Sequence, residues 1–131
     1  MGQQQLLLII LGVIIVGIAI AVGLSMFTAQ SIGANKDAII SDMTNLSATA
    51  YQFRIRPVAM GGGGGTTFVG YTLASVLADN ENARYTLGTL AATTIAFSAK
   101  SKQDSLNTVA VTYTFTGGKM VPVFVYGGAF E

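Results

Sequence analysis

Leu6-Leu7-Leu8-Ile9-Ile10-Leu11-Gly12-Val13-Ile14-Ile15-Val16-Gly17-Ile18-Ala19-Ile20-Ala21-Val22-Gly23-Leu24 holds no side chain that carries charge or forms a hydrogen bond. At 1.5 Å per helical residue the run spans roughly 29 Å, about one bilayer hydrocarbon core. A helix that is apolar all round must be covered all round. A chain of 131 residues is too small to surround it from within one domain. Its remaining environments are lipid or equivalent helices of other molecules. A cleaved secretory signal fits less well. Met1-Gly2-Gln3-Gln4-Gln5 has no basic residue, and the apolar run continues past the cleavage-like Ala19-Ile20-Ala21, so we expect the segment to be retained. No Lys or Arg precedes it to orient a simple anchor. Gly17 with Ala21, and Ala19 with Gly23, are small residues four apart, a spacing that lets helix backbones approach.

Downstream the helical period persists but the pattern becomes one-sided. Ile32, Ile39, Leu46 and Phe53 are seven apart, with Met43 and Ala50 between them and Ile40 beside the stripe. Asn35, Asp37, Ser41, Asp42, Asn45 and Gln52 are assigned to the opposite, polar side. Lys36 falls on the apolar seam and is expected to snorkel at a boundary. Pro57 ends the helix, after Arg54 and Arg56 at its negative pole. The spacing predicts one helix, continuous or briefly interrupted, from about Gln3 to about Phe53. Residues 1–56 form this N-terminal unit, with 1–30 as the apolar part and 31–56 as the amphipathic part.

Residues 57–83 read as a glycine-rich loop. Gly61 to Gly65 cannot hold a regular element and are expected to form a flexible or sharply turning loop; they lack the Lys-Ser/Thr pair of a phosphate-binding loop. Thr72 to Ala78 allows a short helical turn, and Asp79-Asn80-Glu81-Asn82 reads as a solvated turn rather than a calcium loop. Residues 84–131 then switch to period two. Arg84 to Leu90, Thr94 to Lys100, Thr108 to Thr116 and Lys119 to Tyr126 are the expected strands. Val109, Val111, Tyr113 and Phe115 share one face of the third. Gly117-Gly118 suits a two-residue hairpin, and Pro122 places the last strand at an edge. The fold class is therefore α+β: a long N-terminal helix, apolar then amphipathic, packed on a four-stranded antiparallel sheet.

Composition narrows the function. Hydrophobic residues make up 51% and charged residues 10%, well below the quarter usual in soluble domains, which points to surface covered by membrane or by neighbours. A net charge of +1 offers no field for nucleic acid. The chain has no Cys and no His, so disulfides, thiolate chemistry and the usual metal ligands and general base are missing. The six acids are scattered, and no catalytic or cofactor-binding residue is assigned. Phe27, Tyr51 and Phe53 are assigned to ordinary packing rather than to an aromatic stack, and the glycosylation-like Asn45-Leu46-Ser47 falls mid-helix.

In this arrangement, and locally in its first thirty residues or so, the chain resembles type IV pilins and pseudopilins. It is also similar to short bacterial pilin-like proteins in which a proline, a Met or Leu and a glycine run follow the helix, here Pro57, Met60 and Gly61–Gly65. Gln5 stands where the pilins carry glutamate, and Val22 where they carry a helix-breaking proline. The resemblance implies subunits drawn from the cytoplasmic membrane by an assembly machinery and stacked, helices inward, into an extracellular filament of identical chains. On that reading the filament-core residues are Leu6, Leu7, Leu8, Ile9, Ile10, Leu11, Ile14, Ile15, Gly17, Ile18 and Ala21. The residues joining helix to head are Ile39, Ile40, Met43, Leu46, Ala50 and Phe53. A minor pseudopilin of a secretion or uptake machine and a monomeric membrane-anchored binding module share the same layout.

Overall fold

The computed structural model describes residues 2–131; Met1 lies outside the described residues. One helix, α1, runs Gly2–Ile55. By compactness the chain divides at Ala34/Asn35 into two units. The first is the apolar part of α1. The second, Asn35–Glu131, contains the rest of α1, a one-turn helix α2 (Ser75–Ala78), and strands β1 (Ala83–Leu90), β2 (Thr94–Ser101), β3 (Thr108–Thr116) and β4 (Lys119–Gly127). The strands form an antiparallel meander in the order β1-β2-β3-β4.

Each strand lies within a residue or so of the reach read from period-two alternation. Gly117 and Gly118, at φ 60° and 80°, make the β3–β4 turn with both central residues left-handed, as a two-residue hairpin requires. Across the sheet, Tyr85, Ala99, Val109 and Tyr126 lie side by side, as do Leu87, Phe97, Val111 and Phe124. These rows face α1. Ile39, Met43, Leu46 and Ala50 are buried against them, together with Phe68, Ile95 and Phe130. Ile40 and Phe53 are only half-buried. An edge-to-face aromatic series, Phe53–Tyr71–Phe97–Tyr113–Phe124, crosses the core at ring separations of 5.7 to 6.5 Å. Tyr51 instead faces Phe115 at 6.2 Å, so Tyr51 and Phe53 have different partners.

Both sheet edges are irregular. β1 shifts register between Leu87 and Leu90. β4 carries Pro122 opposite Tyr113, with no N–H at that position.

The glycine run is a sharply turning loop ordered by the end of α1, the second of the two forms expected for it. Gly63 N–H donates to the Phe53 carbonyl, Gly64 to Arg56 and Gly65 to Arg54, while Gly61 and Gly62 donate to Val58 and Pro57. Carbonyls orphaned at the helix terminus are thereby satisfied. Gly61, Gly64 and Gly65 have positive φ. A Cβ on Gly62 would collide with the Arg56 backbone, and one on Gly63 with the Thr67 carbonyl.

Candidate assembly surface and the junction that carries it

From Leu6 to Phe27 every large apolar side chain of α1 is more than half exposed, from 53% at Leu11 and Ile14 to 70% at Phe27. Leu6, Leu7, Leu8, Ile9, Ile10, Leu11, Ile14, Ile15 and Ile18 are all among them. The segment is long and apolar enough to cross a membrane. A Cβ at Gly12, Gly17 or Gly23 would meet nothing within 4 Å. Those glycines therefore answer no steric demand among the described residues, although each weakens an isolated helix by roughly 0.8–1 kcal/mol against alanine.

Within the second unit, α1 is held to the sheet partly by polar groups that periodicity assigned to the outer face. Asn35 is buried. Its side-chain amide donates to the Asn82 carbonyl at 3.2 Å, and its Oδ1 accepts from Ser101 Oγ at 2.6 Å. One oxygen of Asp42 accepts three hydrogen bonds, from Tyr85 Oη at 2.5 Å, Asn80 Nδ2 at 2.9 Å and Asn82 Nδ2 at 3.0 Å. Burial alone would push the Asp42 carboxyl up, but the three donors outweigh it and hold it below its usual range. Burial, then the adjacent carboxylate, pushes the Tyr85 hydroxyl well above the ordinary tyrosine value. Asn35 and Asp42 are thus corrections: both belong to the head-facing side of α1. The reason is that hydrophobic periodicity sorts by polarity, whereas a buried polar group is admitted wherever partners meet it.

Lys36 is a further correction, and Arg54, in the last turn of α1 as expected, also turns into the head. Lys36 Nζ donates to the Phe130 carbonyl at 3.2 Å and lies 4.0 Å from the centre of the Tyr126 ring, so it clasps the C-terminal segment instead of snorkelling. Arg54 is buried, with its guanidinium 3.7 Å from the Phe115 ring centre and 5.5 Å from that of Phe68; its Nε has no hydrogen-bond partner among the described residues. The clue in the sequence was spacing. Asn35, Ile39, Met43, Leu46, Ala50 and Arg54 are the buried positions of α1, recurring every three or four residues, so the stripe begins and ends on polar side chains.

In the turn before β1, Asp79 pairs with Lys102 and Arg84. Asn80 Oδ1 accepts from the N–H groups of Asn82 and Ala83. No group of three or more His, Cys, Asp or Glu positioned to hold a metal ion occurs among the described residues. All five N–H groups of Gly61–Gly65 are spent on carbonyls, leaving none to cradle a phosphate. Asn45 lies on an exposed turn inside α1. The apolar part of α1 stands out instead as an extended run of exposed apolar side chains. No family model, no curated protein and no solved structure matches the chain.

Proposed function

We propose that the chain is the structural subunit of an extracellular pilus-like filament, polymerising through the apolar part of α1 and held in the cytoplasmic membrane before assembly. One observation carries this reading: the helix is greasy around its full circumference from Leu6 to Leu24, and then continues as the buried spine of a folded head. A simple anchor needs no such continuation. Covering nineteen apolar residues removes on the order of 1,500–2,000 Å² from water, worth tens of kcal/mol at about 25 cal/mol per Å². Transfer from lipid gains far less, because lipid is already apolar. Extraction from the membrane therefore calls for a machine, and the finished polymer resists dissociation in water. The small positions Gly17, Ala21 and Gly23, free of any contact within 4 Å at the two glycines, suit close approach by a neighbouring helix. Replacing Ile14 with Arg would bury an unpaired charge in that core. Sheared surface material viewed by electron microscopy should then contain no filaments, whereas wild-type yield from Ile14→Arg cells would refute a helical core.

A further inference from the structure

The head is electrically polar along α1. The helix enters it at Asn35, beside Ser101 and Asn82, and leaves at Ile55, next to Arg54 and the Phe115 ring. Twenty residues at 1.5 Å separate these ends by about 30 Å. All six acids lie in the entry half: Asp37 and Asp42 on α1, Asp79 and Glu81 in the turn before β1, Asp104 in the β2–β3 loop, and Glu131 after Phe130. Four cations share that half, giving a net −2. The far end carries Arg54, Arg56 and Lys119 and no acid, a net +3. Lys102 and Arg84 both pair with Asp79, so Asp37, Glu81, Asp104 and Glu131 have no ion-pair partner among the described residues.

Each pole also presents apolar surface. At the cationic end Val58 is 72% and Met60 70% exposed, on the tight turn that follows α1. At the acidic end Leu106 is 75% exposed, two residues beyond Asp104. Across 30 Å the two poles of one head are screened from each other, since the Debye length at physiological salt is about 8 Å. The opposite charges meet only when two copies do.

We propose that the cationic end of one copy docks on the acidic end of the next. Val58 and Met60 cover Leu106, and Arg56 and Lys119 face Asp37 and Asp104. The contact joins unlike surfaces, so it leaves one free end of each kind and propagates without closing. Exposed ion pairs are individually weak; the contact sets direction and register, while the helices supply cohesion. It deepens the filament reading and rests on it.

The chain has no native cysteine, which makes the test direct. The full-length Met60→Cys/Leu106→Cys variant, in filaments or in membranes, is treated with a short bifunctional maleimide and run on a denaturing gel. A ladder of covalent oligomers is expected, with each single variant remaining monomeric. Adding Arg56→Glu/Lys119→Glu should weaken the ladder by about tenfold, the effect of two exposed pairs, and Asp37→Lys/Asp104→Lys should restore it. Wild-type filaments without a ladder in the double variant would overturn the contact and leave the polymer reading standing. Dimers from Met60→Cys alone, formed as readily as the ladder, would overturn it too, because like ends would then be meeting. Wild-type cells that make no filament, with no ladder from the double variant in their membranes, would remove the polymer reading and the contact with it.

Discussion

Asp42 binds α1 to the turn before β1 through a single oxygen that takes three donors. Removing the shortest bond with Tyr85→Phe should cost about 1.5–3 kcal/mol, the range for hydrogen bonds to charged groups. The sign of the pH effect follows from the direction of the shift. The Asp42 carboxyl sits below its ordinary 3.8 when folded, so its contribution is complete above that value and disappears as the pH falls through the folded one. Tyr85→Phe should bring that carboxyl back up and make acid unfolding begin at higher pH, as circular dichroism at stepped pH would show; an unchanged acid limb would count against the network. Tyr85 and Tyr113 are both raised, chiefly by burial. Their contribution is present below the ordinary value of 10 and fades as the pH rises past it, so the head should also loosen in alkali.

At the scale of elements, the glycine run behaves as a cap rather than a tether, and its members are not equivalent. Gly61 has φ 82° with open space where a Cβ would stand, so Gly61→Ala should cost only the left-handed penalty of roughly 1–2 kcal/mol. Gly63→Ala drives a Cβ into the Thr67 carbonyl and should cost about 3 kcal/mol or more, the upper range of overpacking. Equal melting temperatures for the two variants would contradict this account. Helix and strands were legible in the sequence because periods of 3.6 and 2 differ, and Pro57, Gly117-Gly118 and Pro122 punctuate the chain. The cap was not legible: a glycine cluster shows which conformations are allowed, while the carbonyls it must reach are placed by the fold. Asn35 and Asp42 were misplaced for a related reason, since their partners Ser101 and Tyr85 are more than forty residues away in sequence. The exposed apolar residues of α1 needed no such knowledge, because a run this uniformly apolar leaves no face that a small head could cover.

For the whole molecule, the two units answer different substitutions. Met43 is completely buried under the sheet, and Met43→Ala should cost about 2–5 kcal/mol. For a head of this size each kcal/mol lowers the melting temperature by roughly 4–8 °C, so a drop of about 10 °C or more is expected. Ile14→Arg should leave that transition where it was, because Ile14 belongs to the other unit. Near-ultraviolet circular dichroism of the tyrosines in detergent reports the head alone, the chain having no Trp. Equal shifts from both variants would mean that the units share a core.

Pro122 carries a consequence for proteostasis. A polypeptide this rich in valine and threonine risks, at high local concentration, stacking its sheets into amyloid ribbons. Growth would start at a bare strand, and the proline denies the newcomer a donor midway along β4, while the slipped register of β1 spoils the opposite flank. Mistaken fibrillisation is thus checked at both flanks of the sheet.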